Sequence, residues 1–410
     1  MSRSLLPAAA LLCFTIFARA TEWDDLRAQY QFTTVVGGLP SALGGSGNPN
    51  EWNNAEGQSA LLAELSEPHM AMMDLNGRIF VADKNAHAIR RIDTDGTIHT
   101  IAGRNLNEVP VNNAGYNGDG PARLCLLNGP QNAYVMPDGS YYILDSGNFR
   151  VRLVDLSGNL TTLVTDTQIL NRGLWVSRDG QVIYYCTGTE LKRWTPALGN
   201  NPGVIIASGL LQTGNIDVDA AGNILISDRN RMGVYRVPPT HGGGIIPETL
   251  RVAGVGNSLT TDNGIASNGL PARDVGMREP RGVACHPLGG FFVATHRGGD
   301  VWYVDTAGRA WIFIQGDSGN THVSGSIAVP TTFNVMSEPR SVTVSRSGDV
   351  VIACDDAGHI RLVRNIFPLP AAPLWEPLGM QPDGLRLRWQ SDAARWYFLE
   401  QSTDLKAAAW

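Results

Sequence analysis

A set of short strands and tight turns recurs six times along the chain, and this repetition limits what the chain can fold into. Segment 67–103 shows the pattern clearly: three apolar runs are separated by Asn-Gly, Asp-Lys-Asn and Asp-Gly, and a fourth run ends at a glycine. Apolar runs of this length between turn residues predict an antiparallel meander of four strands. Because repeated units of this size bury their apolar faces against one another, the copies are expected to build one repeat architecture.

Two sequence markers align the six copies. A glycine lies in the first turn of each copy, and nine residues before it stands a proline, an asparagine or a threonine. Between the two markers, apolar residues alternate with other residues, as in a strand that packs against a neighbouring sheet. The glycine markers are Gly77, Gly139, Gly180, Gly222, Gly289 and Gly348.

The two ends of the repeat region predict a closed ring. The sixth copy lacks a fourth strand, because the sequence after Ile366 changes to FPLPAAP. A strand of the missing type, 33–36, precedes the first copy. We therefore predict an all-β fold, a six-bladed β-propeller of four-stranded antiparallel sheets over 33–366, in which strand 33–36 joins and completes the last blade.

The motif of the repeat resembles the NHL repeat, whose family fold is a β-propeller. Segment 145–151 (DSGNFRV) matches the motif best, and 280–284 (PRGVA) is a good second match. The third and fifth copies depart from the motif, with Cys186 and Thr295 where the family usually has aspartate. The resemblance implies the fold and is nearly silent on chemistry, because one fold hosts many functions.

The first twenty residues predict export. Arg3 is followed by an apolar core at 5–17 and by Ala18-Arg19-Ala20, which fits a signal peptide over 1–20 that is cleaved near Ala20-Thr21. No later segment is long enough to span a membrane. The mature protein is then secreted, periplasmic or at the cell surface, and we expect a monomer. The formal net charge of −6 argues against a nucleic-acid partner.

The composition changes after Ile366. Residues 367–384 predict a proline-rich linker. Two strand candidates follow, at 385–389 and 396–400, and segment 385–410 resembles the early strands of a fibronectin type III-like domain. Because two strands cannot form a stable sandwich, either the sequence is truncated or this hairpin docks on the propeller.

The cysteines are predicted to be free thiols. Cys186 and Cys354 occupy the same strand position in the third and sixth copies, which oppose each other across a six-bladed ring. A disulfide requires Cα atoms within about 7 Å, and the ring diameter forbids that. We predict that these two, together with Cys125 and Cys285, behave as small buried hydrophobes.

A propeller offers a ligand site at the mouth of its central channel, where the inner strands begin. The residue after each first marker should line this channel mouth: His69, Gln131, Arg172, Gly214, Arg281 and Arg340. Arginines and a histidine in one ring suit an anionic group, because guanidinium donors bind such groups in a bidentate manner. The alternative is that these arginines pair with neighbouring carboxylates as part of the repeat.

Two enzymatic relatives imply metal sites. NHL-like propellers include a zinc lyase that holds its metal with histidines from separate blades, yet only His69 of the eight histidines falls at the channel mouth. Calcium-dependent gluconolactonase-like propellers use acidic and asparagine oxygens from inner strands, and Asn132, Asn215 and Asp217 could supply such oxygens here. The alternative is that these three side chains form a satisfied polar core.

These observations favour a binding or scaffold module for a protein or a glycan, with no cofactor and without catalysis. The candidate ligand-binding residues are the channel-mouth side chains His69, Gln131, Arg172, Arg281 and Arg340. The alternative function is a lyase or lactonase at the channel mouth that is assisted by Ca²⁺ or Zn²⁺.

Overall fold

The computed structural model describes most of the repeat region and a short segment after it. The described residues are 30–36, 55–63, 65–103, 114–256, 267–287, 289–314, 316, 338–354, 358–365, 375–381 and 384–389. The predicted signal peptide (1–20) and the predicted strand 396–400 lie outside them. No helix in this part of the chain is long and apolar enough to cross a membrane, and its only helices are 3-10 turns of three residues.

Six small antiparallel sheets form a six-bladed propeller, as predicted. The strands of the first three blades, from inner to outer, are Pro68–Met73, Ile79–Asp83, Ala88–Ile92 and Thr97–Ala102; Pro130–Val135, Tyr141–Asp145, Arg150–Val154 and Asn159–Thr165; and Leu174–Val176, Ile183–Cys186, Leu191–Trp194 and Val204–Ala207. Those of the last three are Thr213–Val218, Ile224–Asp228, Gly233–Val237 and Arg251–Ala253; Pro280–Cys285, Phe291–Thr295, Val301–Val304 and Arg309–Ile314; and Pro339–Val344, Val350–Cys354, His359–Asn365 and Tyr30–Val36.

The glycine markers are required by the turns that contain them. All six have a positive φ, from +68° at Gly180 to +101° at Gly289, in the left-handed region where a side chain is strained. In the first blade the Asp74 carboxylate accepts hydrogen bonds from the backbone N–H groups of Asn76 and Arg78, which closes the turn around Gly77. The period of the markers is therefore the period of these turns.

Apolar contacts between blades make up the core. Six clusters of buried apolar residues are present in the described part of the chain, and each draws its members from two neighbouring blades. Trp302, for example, is fully buried in the cluster between the fourth and fifth blades. A single blade exposes both of its apolar faces, so its stability depends on its neighbours.

The N-terminal strand closes the ring. Tyr30–Val36 pairs antiparallel with His359–Asn365, which confirms the predicted closure and extends the predicted strand 33–36 by three residues. The Tyr30 ring is buried and lies edge-on to Phe313 of the fifth blade, with ring centroids 5.1 Å apart. Its hydroxyl donates to the Gly348 carbonyl at 2.8 Å and lies 3.0 Å from His286 Nε2. Tyr30 thus fastens the sixth blade to the fifth.

Three blades have a fifth strand that the sequence analysis did not predict. These strands are two residues long and pair with the outer strands of the first, second and fifth blades: Gln58–Ser59, Gly120–Pro121 and Leu270–Pro271. Beside each of them, a side-chain oxygen of Glu56, Asp119 or Asn268 accepts a hydrogen bond from a backbone N–H group of the outer strand. Loop side chains therefore hold these strands in place, and the sequence has no apolar pattern of strand length at these positions.

The segment after the propeller contains a hairpin whose pairing differs from the prediction. Gly384–Trp389 is a strand, as expected for 385–389, but it pairs with Trp375–Gln381, inside the segment predicted as a linker. The pairing register shifts between Pro377 and Gly379, where a proline is tolerated within a sheet. The fibronectin type III-like assignment stays a prediction.

The prediction of free thiols is confirmed, and the prediction of burial is confirmed for three of the four. Cys125, Cys186, Cys285 and Cys354 are free, and all but the half-buried Cys285 are buried. Burial raises the pKa of Cys354 to about 11, so this thiol stays protonated at neutral pH.

The role of Tyr30 in closing the ring gives a prediction for stability. Tyr30→Ala should lower the free energy of unfolding by about 3 kcal/mol, because it leaves a cavity between two blades. Tyr30→Phe should cost about 1 kcal/mol, the value of the hydroxyl contacts. Urea denaturation measures both. Tyr116→Ala is the control, since that ring is 43% exposed; equal losses for Tyr30→Ala and Tyr116→Ala would contradict the closure.

Candidate functional site at the channel mouth

The inner strands begin on one face of the propeller, and the turns between second and third strands lie on the same face. His69, Arg172 and Arg281 are buried there, with 2%, 8% and 4% of their surfaces exposed. Gln131 and Arg340 are half-buried at the equivalent positions of their blades. The structure therefore places the predicted ligand-binding residues at equivalent positions around the ring. Their burial and their contacts differ.

Three glutamates that are not among the predicted site residues also belong to this mouth. Glu67, Glu279 and Glu338 each precede the proline marker of their blade, and their φ values are 55°, 53° and 48°. Non-glycine residues in the left-handed region are uncommon and cluster at turns and functional sites. The repeated Glu-Pro dipeptide was the signal in the sequence that could have identified them.

Glu279 neutralises one side of the mouth. Its carboxylate accepts hydrogen bonds from Arg229 Nε at 2.7 Å and from Arg281 Nη2 at 3.3 Å. His296 Nδ1 lies 3.2 Å from the same oxygen. Although burial acts to raise it, the bonds from His296 and Arg229 hold the pKa of Glu279 well below its usual value. Arg281 is thus paired with a neighbouring carboxylate, as the alternative interpretation of the arginines expected.

Arg172 has a different environment. Its guanidinium makes no ion pair with any described residue, and Nη1 has no hydrogen-bond partner among them. Burial lowers the pKa of Arg172 well below its usual value, and the charges of Arg281 and Arg229 lower it further; Glu67 opposes them. Arg172 is therefore a buried, positively charged side chain that no carboxylate of the described residues contacts.

His69 and Gln131 link the first three blades. Gln131 Nε2 donates to the Leu170 carbonyl at 3.0 Å, so its Oε1 faces His69 Nδ1 at 3.3 Å and accepts a hydrogen bond from that nitrogen. Burial lowers the pKa of His69 well below its usual value, and the charges of Arg172 and Lys84 lower it further. His69 is neutral at physiological pH.

The residues of the alternative metal site have other partners. The two Asp217 oxygens accept hydrogen bonds from the backbone N–H groups of Val218 and Cys285. Asn132 Nδ2 donates to the Arg172 carbonyl, and Asn215 Nδ2 lies 3.5 Å from Met70 Sδ of the opposite blade. No three His, Cys, Asp or Glu side chains of the described chain lie together as metal ligands. Asp217 is therefore already engaged by backbone donors, and the Ca²⁺ or Zn²⁺ site stays a prediction.

Two amide oxygens of this inner layer have unused hydrogen-bonding capacity. Asn132 Oδ1 and Asn215 Oδ1 are buried and accept no hydrogen bond from the described residues. Arg281 Nε and Arg172 Nη1 are donors of the fifth and third blades that have no partner among the described residues. Buried polar atoms are usually satisfied, often by ordered water, and these four atoms are open to such a partner.

Fold and mouth together define a six-bladed β-propeller with a charged channel entrance. No protein-family model matches the chain. A structural genomics protein of unknown function from Bacteroides thetaiotaomicron VPI-5482 is 14% identical, with a TM-score of 0.59, and the match covers 82% of this chain and 75% of that one. An auxiliary nutrient binding protein from the same strain is 13% identical, with a TM-score of 0.56 and coverage of 82% and 76%.

A sequence relative matches only part of the chain. Teneurin-3 from Danio rerio is 31% identical over 105 residues, which is 24% of this chain and 4% of that protein. At their low identities the structural likenesses show the propeller fold alone, and the chain spans only a small part of the Teneurin-3 length. The assignment to the NHL repeat family stays a prediction.

The Glu279 contacts predict a large loss of stability when its charge is removed. Glu279→Gln should lower the free energy of unfolding at pH 7 by about 3 kcal/mol, because it leaves Arg281 and Arg229 without their carboxylate. Chemical denaturation measures this change. Glu248→Gln is the matched control: Glu248 also pairs with two arginines, but its side chain is 52% exposed, so the loss should stay below about 1 kcal/mol. Equal losses of unfolding free energy in Glu279→Gln and Glu248→Gln would contradict the conclusion that the ion pairs of Glu279 are buried.

Asp217 predicts a dependence of stability on pH. Burial raises the pKa of Asp217 to about 6, although the N–H of Cys285 opposes the shift. The pKa of an aspartate in the unfolded chain is about 4. Protonated Asp217 therefore contributes fully to the free energy of unfolding below that pH, and this contribution is lost as the pH rises through about 6. Asp217→Asn should remove up to about 3 kcal/mol of this pH-dependent change, measured by urea unfolding between pH 4 and 7. An unchanged slope would refute the assignment.

Proposed function

We propose that the protein is an exported NHL-type propeller that binds an acidic glycan, with the anionic group of the glycan at the channel mouth. Arg172 and Arg281 donate to the anion, while His69 and Gln131 hold the surrounding strands. The export component rests on the sequence of residues 1–20. Binding, and not turnover, is the function of the site in this proposal.

The observation that carries the proposal is the state of Arg172. A buried guanidinium without a contacting anion costs several kcal/mol of stability. A residue of that kind is retained when a ligand supplies the missing charge. The Arg281 Nε donor, which has no partner among the described residues, lies two blades away and can share the same anion.

The choice of a glycan rests on two supports. A sugar supplies hydroxyl donors, and the amide oxygens of Asn132 and Asn215 are the unused acceptors of the inner layer. One protein of similar fold bears the name auxiliary nutrient binding protein, and a glycan is a nutrient of suitable chemistry. A protein ligand is the competing partner, and the lyase or lactonase predicted as an alternative has no observation in its favour.

The proposal predicts opposite effects of one substitution on stability and binding. Arg172→Met should raise the melting temperature, because it removes a buried uncompensated charge, and should weaken binding of acidic oligosaccharides at least tenfold. Thermal unfolding and isothermal titration with uronate, sulfated and phosphorylated oligosaccharides measure the two effects. Arg193→Met is the control, since Arg193 lies exposed on the same blade.

Three outcomes would overturn the proposal. Wild-type affinity in Arg172→Met would show that the channel mouth is not the binding site. Equal binding of neutral and acidic oligosaccharides would show that the site does not recognise an anionic group. Binding of a protein partner in the absence of any glycan binding would replace the ligand class.

A further inference from the structure

Three blades have their outer edge covered by a short segment of the chain itself. In the first, second and fifth blades, the two-residue fifth strands pair with the outer strand, and we call them the covering strands. Beside them lie three residues at one equivalent position of the outer strand, just before the register shift against the third strand. These residues, Thr100, Thr162 and Ile312, are only 3%, 7% and 7% exposed. A short extended segment thus suffices to bury this position.

The third blade has no covering strand among the described residues. Its outer strand is Val204–Ala207, and Ile205 lies at the equivalent position, since it pairs with Lys192 just before the same register shift. Ile205 is 39% exposed, and the preceding Val204 is 60% exposed. Exposed β-branched residues on the edge of a sheet favour pairing with a further strand.

The backbone of this edge has two polar groups that the covered blades use. In the first blade, the Thr100 N–H group donates to the Glu56 carboxylate, and the Ile98 carbonyl accepts from a loop glycine at 2.9 Å. The equivalent groups of the third blade are the Ile205 N–H and, two residues earlier, the Gly203 carbonyl. Neither of them bonds to a loop or to a side chain of the described residues.

The open part of this edge is short. Beyond it, a loop of the fourth blade covers the outer strand, because the Gly243 N–H group donates to the Ile206 carbonyl at 2.7 Å. On the other side stands Pro202, which has no N–H group to offer a further strand. The gap therefore comprises residues 203–205, a length that matches the two-residue covering strands of the other blades.

We propose that the outer edge of the third blade binds an extended segment of a partner protein, which pairs with residues 203–205. In such strand addition, main-chain hydrogen bonds supply affinity and side chains supply specificity. The covering strands indicate the chemistry of the segment: Glu56, Asp119 and Asn268, whose oxygens accept from the outer strand, are each followed by a glycine. The partner segment therefore has an acidic or amide residue before a glycine, and then apolar residues that cover Val204 and Ile205. This site is on the outside of the ring and is independent of the channel mouth.

The test uses a peptide with the sequence of 55–62 (AEGQSALL), which contains the covering strand of the first blade. Fluorescence anisotropy of the labelled peptide measures its binding to the full chain, and NMR-detected hydrogen exchange locates it. We expect exchange of the Ile205 amide to slow at least tenfold at saturating peptide. Ile205→Pro, which removes the N–H group, and Val204→Lys should each weaken binding at least tenfold. Leu156→Lys is the matched control, because Leu156 is an exposed apolar residue of the neighbouring blade, and it should leave the affinity unchanged.

Several results would overturn this proposal. They are an absence of peptide binding, wild-type affinity in Val204→Lys, and protection of the Thr100 amide instead of the Ile205 amide. Sedimentation that shows a dimer of the full chain, dissociated by Val204→Lys, would replace the partner protein by a second copy. Thermal unfolding shows whether Ile205→Pro folds; if it does not, Val204→Lys, a substitution of an exposed side chain, decides the question.

Discussion

The pairing of Tyr30–Val36 with His359–Asn365 is the interaction on which the rest of the molecule depends. Each apolar cluster of the described chain lies between two blades, so a ring with a gap would expose two of these faces to water. Tyr30 and Gly348, which this pairing joins by a hydrogen bond, are 318 positions apart. Closure is therefore a long-range event, and the positions of all channel-mouth side chains follow from it.

Much of the fold could be predicted because it repeats. The glycine markers need a positive φ, so the turns are visible in the sequence at the right spacing. The short strand Gln58–Ser59 could not be predicted, because two residues held by the Glu56 carboxylate leave no periodic pattern. The pairing of Trp375–Gln381 was missed for another reason: its proline suggested a linker, whereas the register shift at Pro377 accommodates it.

The site was predictable in position but not in electrostatics. Arg172 and Arg281 follow the same marker, and the alternation of the strand places both at the mouth. Their difference depends on partners from other segments, since Arg229 of the fourth blade reaches Glu279 of the fifth. A single sequence does not reveal such contacts. The local contrast was nevertheless visible, because Glu279 precedes the proline before Arg281, whereas no acidic residue stands in the same place before Arg172.

The register of the sixth blade also places the two ends of the described propeller side by side. Tyr30 and Asn365 are direct partners at one end of this blade, beside the turn that contains Gly348. The chain thus enters and leaves the propeller at a single point, on the face opposite the channel mouth. Anything attached at that point is joined to the face opposite the charged entrance.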